Sequence, residues 1–351
     1  MHIDEILRQA IAEKASDVFF VAGLPVSFRK QGVISQLNDE RLLPADTEVL
    51  LTEIYERADG RDISKLHQNG DDDFSCAIPG LSRFRISAYK QRGALSAVIR
   101  IITFDLPNKD ELGIPDYVIH LADSGKGMVL VTGPAGSGKS TTLACMLAQI
   151  NQTQRKHIIT LEDPLEYLHR HEQSIVSQRE INVDTESYVT ALRAALRQSP
   201  DVILLGEMRD YETINVAMTA AETGHLLLST LHTIGAANTI DRIIDVFPAN
   251  QQRQIAVQLS MVLNAVVSQQ LVPTVDGKVV PALEIMTVTP AIRNMIRDNK
   301  VHQIDGLIYS SMKEDMISMD ASLMNLCKEG MISRDTALKY ATNPDMLGKK
   351  I

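Results

Sequence analysis

Eight consecutive residues, Gly133-Pro134-Ala135-Gly136-Ser137-Gly138-Lys139-Ser140, with Thr141 after them, have the types and spacing to do phosphate chemistry. They fit the pattern G-x-x-x-x-G-K-[ST]. Glycines let the main chain wrap around an anion with several N–H groups pointing inward, and a helix that follows adds its positive N-terminal end. Lys139 would neutralise the β- and γ-phosphates of a nucleoside triphosphate, and the Ser140 hydroxyl would bind Mg²⁺. The chemistry implied is that of ATP with Mg²⁺. An apolar run, Met128–Thr132, leads straight into the loop and a helix-compatible run, Ser140–Gln149, leaves it.

Acidic groups end two other apolar runs. Glu162 and Asp163 close His157–Leu161 before Pro164 stops the strand, and Glu166 follows closely. Glu207 comes after Val202–Leu205 and Gly206, the form of a metal-binding strand end in which aspartate is usual. Carboxylates at the C-terminal ends of parallel strands face the ligand crevice of an α/β sheet. Glu162 and Glu207 would divide two tasks, orienting water and holding the Mg²⁺ shell, and the sequence leaves open which does which. His225 and His232 flank a further run, Leu226–Thr230. On a strand next to the nucleotide, an imidazole would bond the γ-phosphate or report its loss.

Those residues need a scaffold. Strand-like runs alternate with helical ones: Tyr188–Arg197 follows His157–Leu161, and Thr213–Glu222 lies between Val202–Leu205 and Leu226–Thr230. The alternation predicts a mostly parallel sheet with helices on both faces. Beyond residue 250 the chain reads as mostly helical. Residues 1–103 read as a separate small α/β domain. Its first helix carries Ile3, Ile6, Leu7 and Ile11 on one face, and a second spans Asp46–Tyr55; strands are expected at Val18–Val21, Val26–Arg29, Val33–Leu37, Phe84–Tyr89 and Ala94–Ile102. Residues 104–115, punctuated by Pro107, Gly113 and Pro115, read as a linker to an ATPase domain over 116–351.

Composition narrows the function. The 351 residues are 44% hydrophobic and 23% charged, the balance of a globular protein of two domains. A net charge of −9 without a basic stripe argues against a nucleic-acid partner. Cys76, Cys145 and Cys327 lie far apart, with no CxxC pair, so neither a zinc site nor a disulfide framework is expected and a reducing compartment fits. The charged N-terminus does not read as a signal peptide, and no apolar run reaches the length of a membrane span. The expectation is a cytoplasmic protein recruited to the inner face of the cytoplasmic membrane by a partner.

Taken in order, seven segments resemble one family: RFRISAY (83–89), GPAGSGKST (133–141), ITLEDPLEYLH (159–169), LRAALRQSPDVILLGEMRD (192–210), AAETGHLLLSTLHT (220–233), TIDRIIDVFP (239–248) and TPAIRNMIRD (289–298). They are similar to the secretion-ATPase superfamily, most closely the PilT-type retraction ATPases of type IV pili. The resemblance implies an N-terminal PAS-like domain and a C-terminal RecA-like P-loop domain, assembled as a homo-hexamer that hydrolyses ATP between domains. It implies that Glu162 activates water, that Glu207 is the acid near Mg²⁺, and that His225 and His232 form a histidine box. It further implies that Arg85 and Arg100 act as arginine fingers. The AIRNMIRD segment resembles a motif tied to retraction; read by itself, Ala291, Ile292, Met295 and Ile296 make an apolar helical stripe. The function implied is pilus retraction and twitching motility, exerted on an inner-membrane platform protein. An assembly or accessory motor of the same family is the first alternative, ahead of a nucleic-acid translocase and a weakly hydrolysing nucleotide switch; assembly and type II secretion motors usually carry a longer N-terminal region and a four-cysteine zinc module, neither of which is read in this sequence. Three positions depart from the family: Ala135 stands where threonine is common, Ala15-Ser16-Asp17-Val18-Phe19 lacks the usual histidine, and residues 310–320 replace a glycine-rich stretch.

Overall fold

The computed structural model describes residues 2–351 except 31, 59, 103, 105 and 312–314. Thr103 and Asp105, at the expected domain boundary and linker, and 312–314, within the divergent 310–320 segment, therefore lie outside the described residues. The chain forms two compact units, Met1–Asp105 and Leu106–Ile351.

The first unit is an antiparallel sheet covered by helices. Its strands are β1 (Asp17–Phe20), β2 (Pro25–Lys30), β3 (Val33–Arg41), β4 (Asp71–Ile78), β5 (Ser82–Gln91) and β6 (Ala94–Ile102), in the order β3-β2-β1-β6-β5-β4. Period-two burial explains the strands: on β5, Phe84, Ile86 and Ala88 are buried while Arg85 and Ser87 are exposed. Helix α1 (Ile3–Ala12) buries Ile3, Ile6, Leu7 and Ala10, and α2 (Pro44–Arg57) buries Leu50, Leu51, Ile54 and Tyr55. Helix α3 (Ser64–Asn69) and β4 had no expectation from sequence; β4 opens with Asp71, Asp72 and Asp73, which masks its strand pattern.

The second unit has seven strands: β7 (Gly127–Thr132), β8 (His157–Glu162), β9 (Ile175–Glu180), β10 (Val202–Leu205), β11 (Leu226–Leu231), β12 (Leu263–Pro273) and β13 (Val279–Thr287). Their order is β13-β12-β7-β11-β10-β8-β9, and only the β12–β13 pairing is antiparallel. Every residue of β7, β10 and β11 is buried, as continuous apolar strands between two helical layers must be. On one face Met128 and Leu130 pack with α6 (Tyr188–Ala195), α7 (Tyr211–Glu222), α8 (Ala236–Asp245) and α9 (Ala249–Val262), whereas Val129 and Val131 pack on the other with α4 (Asp116–His120) and α5 (Lys139–Thr153). Successive β7 side chains thus serve opposite cores, the geometry behind the sandwich of helices.

Two expectations need correction here. The chain beyond residue 250 is not mainly helical until Pro290, because β12 and β13 occupy most of 263–287. The helical region proper is α10 (Pro290–Arg297), α11 (Ile304–Ser310), α12 (Met319–Lys328), α13 (Arg334–Tyr340) and α14 (Pro344–Gly348). On α10, Ile292 and Ile296 are buried, Met295 packs partly against the core, and Ala291, Arg293 and Arg297 are exposed. Part of the segment read as linker also belongs to this unit, since Ile114 is buried beside Val118 and Ile119 of α4.

Candidate active site

Between β7 and α5 the chain makes a tight loop that two glycines permit. Gly133 has φ +143, and a Cβ there would lie 2.2 Å from the Gln269 carbonyl oxygen. Gly138, at φ +84, would place one 2.8 Å from Gln269 Nε2. Gln269 on β12 is buried and straps the loop: its Nε2 donates to the Ser137 carbonyl at 2.6 Å, and its Oε1 accepts from Thr142 Oγ1 at 2.7 Å. Lys139 Nζ donates to the Gly133 and Pro134 carbonyls, each at 3.0 Å. Helix α5 starts without a side-chain cap. Among the described residues, the amides of Lys139, Ser140 and Thr141 have no main-chain acceptor, which leaves the first turn free to bind an anion. Gly133→Ala is accordingly expected to push the loop off β12 and weaken nucleotide binding by at least about 100-fold, roughly 3 kcal/mol. Gly136→Ala, at φ +76 with nothing within 4 Å of its Cβ, should cost only about 1 kcal/mol of backbone strain. Titration with a fluorescent nucleotide separates the two, and equal affinities would remove Gln269 as the reason for a glycine at 133.

The loop forms one wall of a cavity of about 520 Å³. Lys139, Ser140 and Thr141 face it, with Glu162, Asp163 and Glu166 at and beyond the end of β8, Glu207 and Arg209 beyond β10, and His232 beyond β11. These contributions gather because parallel neighbours bring their C-terminal ends to one edge of the sheet. Gly206 lets two of those ends approach closely: its N–H donates to the Leu161 carbonyl at 2.8 Å, and a Cβ there would lie 2.9 Å from Tyr188 Oη.

Electrostatics divides the two glutamates. Burial pushes the Glu162 carboxyl up to about 7; hydrogen bonds from Thr160, the Glu166 amide and Gln178 oppose the rise, and the neighbouring Glu166 charge adds to it. Glu207 instead has close basic partners, with its Oε2 at 2.7 Å from Arg209 Nε and 3.2 Å from His232 Nε2. Burial lowers the Lys139 ammonium from its ordinary value, with Glu166 and Glu207 pulling the other way. Burial also raises the Tyr188 phenol, helped by the charges of Glu207, Asp163 and Glu162. The arrangement offers one cation and a ring of amides to a polyphosphate, a carboxyl able to exchange a proton near neutrality, and a second carboxylate tied to a histidine.

A family model described as "Type II/IV secretion system protein" matches residues 1–300. The chain belongs to that family. It is 43% identical over 345 residues to the type IV pilus retractation ATPase PilT of Pseudomonas aeruginosa, a match covering 98% of this chain and 99% of the relative. It is 47% identical over 281 residues to a twitching motility protein of Neisseria gonorrhoeae, covering 80% and 75% respectively. A crystal structure of the pilus retraction motor PilT with bound ADP superposes with a TM-score of 0.90 at 45% identity, over 99% of both chains. The α/β architecture with a parallel-rich sheet is thus that of secretion ATPases.

The residues expected to act in this family member fall in four groups. Ala135, Gly136, Gly138, Lys139, Ser140, Thr141, Glu162, Glu207 and His232 all border the cavity. Gly133, Pro134 and Ser137 do not, and instead supply the carbonyls that hold Lys139 and receive Gln269. His225 is not brought to the cavity. It precedes β11 while His232 follows it, so the two rings belong to opposite ends of one strand, about 20 Å apart along the chain. His225 Nδ1 lies 3.0 Å from the Ala220 carbonyl and 3.1 Å from Thr223 Oγ1, at the close of α7. Arg85 and Arg100 belong to the first unit, on β5 and β6. Sequence reasoning did not single out Gln269, Tyr188 or Arg209; Arg209 stood within a matched segment, but Gln269 carries no motif at all.

Proposed function

We propose that this chain is an ATP-hydrolysing motor that drives type IV pilus retraction, working as a homo-hexamer in the cytoplasm against an inner-membrane platform protein. The observation that carries the reading is the single cavity shared by Lys139, Ser140, Glu162 and Glu207; the two pilus-motility relatives and the ADP-bound motor supply the biological direction. In this reading the amides of Lys139–Thr141 and the Lys139 ammonium bind and orient the phosphates. Glu162 takes the proton from the water that attacks the γ-phosphorus, releasing ADP and phosphate, and His232 reports the state of Glu207 and the γ-phosphate. His225 stays outside this assignment.

Mg²⁺ fits the donor set. Four carboxylates, Glu162, Asp163, Glu166 and Glu207, face the same cavity as Lys139 and Arg209, so a triphosphate entering without a further cation would meet excess negative charge. Among the described residues no group of three or more His, Cys, Asp or Glu could hold a metal alone, which suits an ion bound through phosphates, water, the Ser140 hydroxyl and Glu207. When bound, Mg²⁺ would neutralise charge developing between the β- and γ-phosphates. Arg85 and Arg100 would add guanidinium charge to the same phosphates late in the reaction.

No described helix is long and apolar enough to cross a membrane, which is compatible with force being passed to a separate platform protein. Deleting the gene in its own host tests the proposal. Retraction requires that deletion mutants carry excess surface pili and lose twitching; bald cells would assign the motor to assembly, and unchanged piliation and motility would sink the pilus reading.

A further inference from the structure

We infer that Asp17 is a positioning residue for hydrolysis, whose buried carboxylate aims the Arg100 guanidinium. The inference rests on the reading of Arg100 as a phosphate-facing arginine. On four adjacent strands of the first unit, Arg29 (β2), Asp17 (β1), Arg100 (β6) and Arg85 (β5) stand opposite one another, in the pairs Arg29–Asp17, Asp17–Arg100 and Arg100–Arg85. Directly opposed residues on one face of a sheet interact, and like charges there repel. Two guanidiniums, those of Arg29 and Arg100, share the Asp17 carboxylate. Among the described residues Arg85 makes no ion pair, so the row has charge left over for an anion.

Asp17 is not an ordinary surface partner. Its side chain is 5% exposed, against 63% for Arg100. Burying a carboxylate so fully is costly unless it is paired and hydrogen-bonded. Oδ1 accepts from Arg100 Nε at 3.1 Å, Oδ2 accepts from Ser16 Oγ at 2.8 Å, and Arg29 Nη1 lies 3.9 Å from Oδ2. Arg29 in turn rests over the Phe19 ring, 5.1 Å from its centroid; Phe19 is the position at which this chain lacks the family's histidine. Asp17 takes Arg100 by its Nε edge, and among the described residues the two terminal amino groups donate no hydrogen bond. That fork is the part of a guanidinium which grips phosphate oxygens in pairs. A loose arginine would have to be ordered at each turnover, at a cost in side-chain entropy; Asp17 orders it beforehand.

Steady-state ATP hydrolysis by the full-length assembled protein tests this, with Asp17→Asn, Arg100→Ala, Arg100→Lys and the Asp17→Asn/Arg100→Ala double variant. Arg100→Ala should lower kcat about 100-fold. Asp17→Asn keeps the shape and one acceptor but loses the charge; it should lower kcat about 10-fold and leave KM within about twofold. The double variant should match Arg100→Ala within about threefold, because the two residues act as one unit. Arg100→Lys, which needs no change at Asp17, keeps the charge but has no Nε–H to be held, and should lose nearly as much as Arg100→Ala. Losses that multiply to about 1,000-fold, a normal kcat in Asp17→Asn, or full rescue by Arg100→Lys would each overturn the role of Asp17. If Arg100→Ala itself retains wild-type turnover, the arginine assignment beneath it falls as well, which separates the two failures.

Discussion

Glu162→Gln is expected to bind ATP and ADP with affinities close to those of the unaltered protein while hydrolysing ATP at least about 100-fold more slowly. The substitution keeps size and hydrogen-bonding capacity and removes only the ability to accept a proton. The affinity should survive because the phosphates are gripped elsewhere, by the first turn of α5 and by Lys139. Burial holds the Glu162 carboxyl near 7, so it is protonated and useless as a base in mild acid and ionised above neutrality. The kcat/KM of the unaltered protein should therefore fall on the acid side with an apparent pKa close to 7, well above that of an ordinary glutamate, since this ratio reports the free enzyme. Stability should move in the opposite direction. A carboxyl raised by folding is neutral in both states at low pH; as pH rises through the ordinary glutamate range the unfolded chain ionises first, and folding loses stability until the folded group ionises too. Glu162→Gln removes that loss, so above pH 7 it should melt at a higher temperature than the unaltered protein. An inactive variant more stable than its parent is the pattern of a strained functional group. Near-normal turnover, or an acid limb that persists unchanged in any residual activity, would return the role of base to Glu207.

Different parts of this arrangement were legible in the sequence to different degrees, for physical reasons. The phosphate loop was readable because backbone wrapping demands glycines, and their spacing is local. Glu162, Glu207 and His232 were readable because each follows an apolar run, and the ends of parallel strands converge wherever such a sheet exists. His225 resembled His232 in sequence but lies at the other end of β11, a distinction that depends on strand direction and not on residue type. Strands β12 and β13 were missed because a fully buried strand has no alternation, and runs such as Val266-Val267 and Leu271-Val272 suit a buried helix equally well. Missing β12 meant missing Gln269, whose partners Ser137 and Thr142 lie more than 120 positions away. A polar side chain on a buried strand carries no local signature of what it touches. The row of Arg29, Asp17, Arg100 and Arg85 was hidden likewise, because it exists only once the register of four strands is known.

Lys139→Ala is expected to abolish measurable turnover and weaken both ATP and ADP by at least about 100-fold, roughly 3 kcal/mol. Two effects combine. The direct one is loss of the ammonium that would meet the β- and γ-phosphates. The indirect one comes from the company it keeps: Glu162, Asp163, Glu166 and Glu207 remain around the cavity, and the other cation there, Arg209, is already engaged by Glu207 at 2.7 Å. Removing Lys139 therefore leaves a polyphosphate facing mostly like charge. The fold should tolerate the change. The lysine spends its hydrogen bonds on the Gly133 and Pro134 carbonyls; Pro134 is exposed, so water can replace the bond to its carbonyl, and the loop is still held to β12 through Gln269. The melting temperature should stay within about 3 °C of the unaltered protein, a shift of about 1 kcal/mol for a unit of this size. ADP distinguishes this variant from Glu162→Gln, since both nucleotides lose affinity here and neither should there. Retained ADP binding in Lys139→Ala would mean that the loop amides alone carry the phosphates, and it would shift the lysine's contribution wholly to the transition state.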